Sequence, residues 1–208
     1  MSIRAVIFDL GGVVLGSPPQ AFRAYEAERG IEINFLNRMV MRNGRQGAWA
    51  RLERGELDMA SFMTAFDAEA LADGVSISTA ELMVRVAEAS MPREAMVIAV
   101  RKIREHGFRV AALTNNWASE DQDSKMALLR AEFDVFVESA IEGVRKPDPR
   151  IYEIVCERLG VAPNEVVFLD DLGPNLKPAR AMGMHTIKVD DHEAAIAELE
   201  ALLGKALR

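Results

Sequence analysis

Ala5-Val6-Ile7-Phe8-Asp9-Leu10-Gly11-Gly12 decides how this chain is read: four apolar residues in succession, then a carboxylate, then a pair of glycines. A run without apolar–polar alternation fits a strand buried on both faces of a parallel sheet. Val110-Ala111-Ala112-Leu113 before Thr114 and Val166-Val167-Phe168-Leu169 before Asp170 read the same way. Thr186-Ile187-Lys188-Val189 before Asp190 is a fourth run, and Val135-Phe136-Val137 a weaker fifth. Helical periodicity fills the gaps. Arg93 to His106 sets Met96, Val100 and Ile103 on one face and stops before Gly107. Asp148-Pro149 supplies an N-cap and a first-turn proline to a helix striped by Ile151, Ile154, Val155 and Leu159 and closed by Gly160. Asn175 to Met182 and His192 to Leu203 read as two further helices. Strands alternating with helices predict an α/β fold with crossover connections.

One interval breaks the alternation. From about Pro18 to Ser90 the pattern is helical throughout, with Met59, Phe62, Met63 and Phe66 on one face and a Ser78-x-x-Glu81 capping box ahead of Leu82 and Val86. Such a length exceeds any single crossover. The expected architecture is a Rossmann-like parallel sheet core, residues 1–16 and 91–208, with a small inserted α-helical cap domain, residues 17–90.

Composition bounds the function. Half of the 208 residues are hydrophobic and 27% are charged, which excludes a disordered or collagen-like chain. A net charge of −7 disfavours nucleic acid as a partner. No stretch reaches the roughly 18 apolar residues of a membrane span, and the apolar start is interrupted by Asp9. Cys156 is the one cysteine, so no internal disulfide forms. The chain is expected to be cytoplasmic, without membrane or nucleic-acid partners, and a monomer or homodimer. Histidine has no metal-ligand spacing.

In open parallel sheets, ligands bind beyond the carboxyl ends of the strands. There the sequence places Asp9 with Gly11-Gly12, Thr114-Asn115-Asn116, Lys146 ahead of the Asp148-Pro149 helix, and Asp170-Asp171. Three crowded carboxylates repel one another unless a cation lies among them. A few oxygen donors suit Mg²⁺, which also binds phosphate. Lys146, Thr114 and free backbone N–H groups suit phosphoryl oxygens, and Gly11-Gly12 allows close backbone approach. A carboxylate beside such a phosphoryl group can attack it. The residues point to Mg²⁺-assisted phosphoryl transfer through a covalent Asp.

Phe8-Asp9-Leu10-Gly11-Gly12-Val13-Val14, Leu113-Thr114-Asn115, Lys146-Pro147-Asp148-Pro149 and Leu169-Asp170-Asp171 together resemble, in order, the four motifs of the haloacid dehalogenase-like hydrolases. Val167 to Arg180 and the stretch Trp49-Ala50-Arg51-Leu52-Glu53-Arg54-Gly55-Glu56 are similar to the N-terminal phosphatase domain of soluble epoxide hydrolases. The resemblance implies Asp9 as nucleophile and metal ligand, the Gly11 carbonyl and Asp171 as further Mg²⁺ ligands, and Asp170 orienting metal-bound water. It implies Thr114, the Asn115 N–H, Gly12 and Lys146 at the phosphoryl group of a small phosphorylated substrate, with the insertion as a mobile cap. Arg45, Trp49, Asn116 and Asn175 are candidates for substrate or cap contacts. Asn116 reads equally as a turn residue. Asn175 either bonds the catalytic carboxylates or caps its own helix, and the helix cap is the preferred reading.

One position departs from the phosphatase pattern. The second Asp usual in those phosphatases, two residues after the nucleophile, is here Gly11. A missing acid–base costs on the order of 10²–10⁴ in rate. Good leaving groups, a substitute group from the cap or metal-bound water, or loss of turnover in favour of ligand binding would each accommodate it. A 2-haloacid dehalogenase also lacks that Asp but needs no metal, so the Asp170-Asp171 pair argues against it.

Overall fold

The structure is a computed structural model and describes residues 2–117 and 124–208. Five strands, β1 (Ala5–Phe8), β2 (Arg109–Thr114), β3 (Val135–Glu138), β4 (Val166–Asp170) and β5 (His185–Lys188), form one parallel sheet in the order β3-β2-β1-β4-β5. The helices are α1 (Pro18–Arg29), α2 (Phe35–Asn43), α3 (Ala48–Glu53), α4 (Met59–Ala72), α5 (Thr79–Ala89), α6 (Glu94–Glu105), α7 (Ser124–Arg130), α8 (Ser139–Glu142), α9 (Pro149–Leu159), α10 (Gly173–Ala181) and α11 (His192–Leu203).

The unbroken apolar runs of β1, β2 and β4 result from their position. Val6, Phe8, Val110, Ala112, Val167 and Leu169 face α6 and α11 in one apolar cluster. Ala5, Ile7, Ala111, Leu113, Val166 and Phe168 face α9 and α10 in the other. Both faces are covered, so alternation has no solvent side to report. The edge strand β5 has only Ile187 buried. Among the described residues no helix is long and apolar enough to cross a membrane.

Helices α1 to α5 all fall between β1 and β2 and bury an apolar cluster of their own around Phe22, Leu36, Trp49, Phe62, Phe66 and Leu82. Ser78 caps α5 by accepting from the Glu81 N–H at 3.4 Å, while the Glu81 carboxylate pairs with Arg29. Both chain crossings into this bundle are close. Leu15 bridges Pro92, and the Gly16 N–H donates to the Met91 carbonyl at 3.2 Å.

Helix α10 corrects one expectation. It starts at Gly173 with Leu172 as N-cap and no side-chain cap bond, so Asn175 does not cap it.

Candidate active site

Strand order reverses at β1 and β4, and ligands of open α/β sheets bind at such a switch. Phe8 lies level with Leu169 and with Ala112. One residue further, Asp9 therefore stands beside Asp170, with Thr114 at the end of β2. The Asp9 N–H continues the ladder by donating to the Leu169 carbonyl at 2.9 Å.

Lys146 joins the carboxylates. Its Nζ lies 2.8 Å from Asp9 Oδ1 and 2.8 Å from Asp170 Oδ2, and the side chain is wholly buried. Burial by itself would lower this ammonium, but Asp170 and Asp9 outweigh it and hold Lys146 above its usual range. The lysine is therefore a fixed cation at neutral pH. Its backbone is held by the Asn115 side chain: the Lys146 N–H donates to Oδ1 at 2.8 Å, and Nδ2 donates to the Lys146 carbonyl at 3.1 Å.

The two neighbouring aspartates differ in what they touch. Asp170 is fully buried and saturated, accepting from Lys146, from Asn175 Nδ2 at 3.0 and 3.1 Å, and from the Leu172 N–H at 2.8 Å. Asn175 in turn is tethered by Tyr152, whose hydroxyl donates to its carbonyl at 2.6 Å. Asp171 has no ion pair among the described residues, and burial followed by the Asp170 charge pushes its carboxyl up to about 6. Burial also pushes Asp9 well above the usual carboxylate range against the pull of Lys146, with Asp170 and Asp171 adding to the rise. Oxygens of Asp9, Asp170 and Asp171 lie within 4.8 Å of one another.

Other expected residues sit differently. Gly12 has φ +81°, with its N–H on the Gly16 carbonyl at 3.3 Å and its carbonyl accepting from His192 Nε2 at 3.1 Å. Both backbone groups are occupied, and its missing side chain leaves room for the Asp171 carboxylate. Asn175 holds Asp170 and is 5% exposed, which places it behind the carboxylates and away from a substrate. Asn116 is engaged with β3, donating from Nδ2 to Glu138 at 2.7 Å and from its N–H to Ser139 Oγ at 3.0 Å. Trp49 is 6% exposed, buried among Phe22, Phe62, Phe66 and Trp117. It is a core residue of the helical bundle, where aromatic packing outweighs any solvent-facing role. Arg45 is 77% exposed and reaches Asp148 at 3.6 Å.

Four residues at this edge have no individual role in the sequence reading. Tyr152 tethers Asn175, Trp117 follows the Thr114 loop, and Glu53 pairs with Arg145 next to Lys146 at 2.7 Å. Burial raises the Glu53 carboxyl, with Arg145 and the Trp49 N–H opposing. Only the i,i+4 spacing of Trp49 and Glu53 hinted at a shared face.

Comparison with known proteins agrees with this geometry. The family model described as haloacid dehalogenase-like hydrolase matches residues 3–183. The chain is a haloacid dehalogenase-like hydrolase. This hydrolase is 40% identical to mouse acyl-CoA dehydrogenase family member 10, over 98% of its length and 19% of the relative's. It is 33% identical to pig bifunctional epoxide hydrolase 2, over 100% of its length and 40% of the relative's. It thus spans a minor part of those proteins. Identity to sesquiterpene phosphatase astK of Aspergillus oryzae is 26%, over 98% of both chains. A solved Bacteroides thetaiotaomicron enzyme of the family, in complex with magnesium and inorganic phosphate, shares the fold with TM-score 0.62 and 20% identity over 90% of this chain and 94% of that one.

Proposed function

We propose that this hydrolase is a Mg²⁺-dependent phosphatase of small organic phosphates working through a phosphoaspartyl intermediate on Asp9. The charge balance at the sheet edge carries the reading: three carboxylates within 4.8 Å face one buried lysine. Two formal negative charges are left over, the charge of one divalent cation, and an all-oxygen donor set suits Mg²⁺. Asp9, Asp171 and the Gly11 carbonyl would hold it, since Asp170 is already saturated by Lys146, Asn175 and Leu172. When bound, Mg²⁺ offsets phosphoryl charge beside the nucleophile. The phosphatase name of the Aspergillus relative and the magnesium and phosphate of the Bacteroides enzyme support the same reading.

Asp9 attacks phosphorus through a carboxylate oxygen, and the bond from phosphorus to the leaving oxygen breaks. Lys146, 2.8 Å from Asp9, draws that carboxyl toward its ionised form against the effect of burial and neutralises the phosphoryl oxygens. Thr114, whose hydroxyl has among the described residues only a 3.5 Å contact to the Asn115 carbonyl, and the Asn115 N–H hold those oxygens. Water then attacks the phosphoaspartate, releasing inorganic phosphate and restoring Asp9. Gly11 provides no acid for the departing oxygen, so aryl, acyl or anomeric phosphates are the favoured substrates. Residues 17–90 act as a cap over a core of residues 1–16 and 91–208, excluding water and selecting the substrate.

A panel of aryl, acyl, anomeric and alkyl phosphates, with and without Mg²⁺, tests this. Phosphate release should require Mg²⁺ and be slowest for alkyl phosphates. Halide release from 2-haloacids without metal, or binding across the panel with no turnover, would overturn it.

A further inference from the structure

Two residues of α3, one turn apart, reach two different loops of the sheet edge. Trp49 packs edge-on against Trp117, with ring centroids 5.8 Å apart, and Trp117 directly follows Thr114-Asn115-Asn116 in the chain. Glu53 pairs with Arg145 Nε at 2.7 Å, and Arg145 directly precedes Lys146. Trp49 Nε1 donates to Glu53 Oε1 at 3.0 Å, which makes the contact continuous from one loop to the other. The turn after α3 is seated just as closely: a Cβ on Gly55 would stand 2.6 Å from the Ala140 carbonyl oxygen.

The ion pair is an expensive way to hold this junction. The Glu53 and Arg145 side chains are 8% and 26% exposed, and α3 otherwise contributes Ala48, Trp49 and Leu52 to an apolar cluster. Desolvated pairs add little over apolar packing of the same volume. The contact here is one of charge: Glu53 Oε2 and Arg145 Nε lie 2.7 Å apart without an aligned hydrogen bond. The Arg145 guanidinium is tied to the helical bundle, while the Lys146 backbone is tied to Asn115 on the β2 loop. The segment carrying the lysine is thus held from two sides, one of them outside the sheet.

We propose that Glu53 is a positioning residue for Lys146: through Arg145 it holds the lysine loop so that the Asp9–Lys146–Asp170 bridge is fully set only while the helical insertion is seated on the sheet edge. The inference rests on the catalytic reading of Lys146 given above. A substrate entering between insertion and sheet edge then meets a complete site only after the two have come together, which couples seating to chemistry.

Glu53→Gln tests this, because it keeps an acceptor for Trp49 and nearly the same shape while removing the charge that faces Arg145. Arg145→Gln removes the same pair from the other side and serves if the first variant does not fold. Amide hydrogen exchange of the full chain should speed up in peptides covering 48–56 and 144–148 in either variant, with β1, β2 and β4 unchanged. The double variant should be no faster than either single one. With an aryl phosphate and Mg²⁺, kcat should fall by about 10- to 100-fold with KM little changed, the size expected of a slightly misplaced catalytic group. Unchanged exchange over 144–148, or protection lost throughout the sheet, would overturn the proposal. Should the unaltered chain hydrolyse no aryl phosphate, the phosphatase reading fails by itself, and the exchange comparison still decides the positioning role.

Discussion

Gly12→Ala against Gly11→Ala separates two neighbouring glycines that look alike in the sequence. A Cβ on Gly12 would stand 2.5 Å from Asp171 Cγ and closer still to Oδ2, and the residue has φ +81°. Ordinary carbon contacts lie near 3.5 Å, so the Asp171 carboxylate must retreat by about 1 Å. A Cβ on Gly11 meets only Pro18 Cδ at 3.7 Å, and Gly11 is not in the left-handed region. The left-handed backbone alone costs an alanine about 1–2 kcal/mol. In a chain of this length that lowers Tm by about 2–8 °C. With Asp171 holding Mg²⁺ as proposed, a 1 Å displacement of its carboxylate is worth about 10²-fold in rate, or about 2.7 kcal/mol of barrier. Gly12→Ala should therefore unfold earlier, need more Mg²⁺ for half-maximal activity and lose most of its turnover. Gly11→Ala should stay close to the parent in all three. Thermal unfolding and a Mg²⁺ titration of aryl phosphate hydrolysis measure both. Equal behaviour of the two variants, or parental Mg²⁺ dependence in Gly12→Ala, would refute the placement of Asp171.

Asp9→Asn should abolish aryl phosphate hydrolysis without loss of fold, checked by kinetics beside circular dichroism. Asp171→Asn should weaken Mg²⁺ activation more than Asp170→Asn does, as read from metal titrations. Asp170→Asn should instead cost stability, about 3 kcal/mol, because it takes a charged partner from the fully buried Lys146; denaturant unfolding measures it. Asp171 is pushed up to about 6 in the metal-free protein, so the folded chain holds more protons than the unfolded one between about pH 4 and 6. Metal-free stability should therefore fall as pH rises through that window, and the rise in Tm on adding Mg²⁺ should be larger at pH 7.5 than at pH 5. Gly11→Asp should speed hydrolysis of alkyl phosphates and leave aryl phosphates nearly unchanged, as a panel of both will show.

The strands were legible because β1, β2 and β4 are covered on both faces and leave unbroken apolar runs, and α9 because Asp148 and Gly160 bracket it. The edge residues Asp9, Thr114, Lys146, Asp170 and Asp171 were legible because parallel strands all end on one side, so the residues just past each run must gather there. Asn175 was misread because helix caps and buried carboxamides share the same sequence signal, a polar residue near a helix start. Which partner wins depends on Asp170 lying within 3.1 Å, and that is set by the β4–α10 turn. Trp49 was offered to the substrate because a six-residue helix has too few positions to reveal which face is buried.

By itself, then, the order of residues determined the sheet, the helical insertion after its first strand and the set of groups along the carboxyl edge of the strands. Those depend on periodicity and on the residues at each strand's carboxyl end, both local properties. Only the tertiary structure decided how the groups divide their work: Asp170 saturated by Lys146 and Asn175, Asp171 left without an ion pair among the described residues, and Glu53 reaching Arg145 from the insertion. A carboxylate's role depends on its burial and its partners. Lys146 lies 24 residues from Asp170 and Arg145 lies 92 from Glu53, distances that only packing closes.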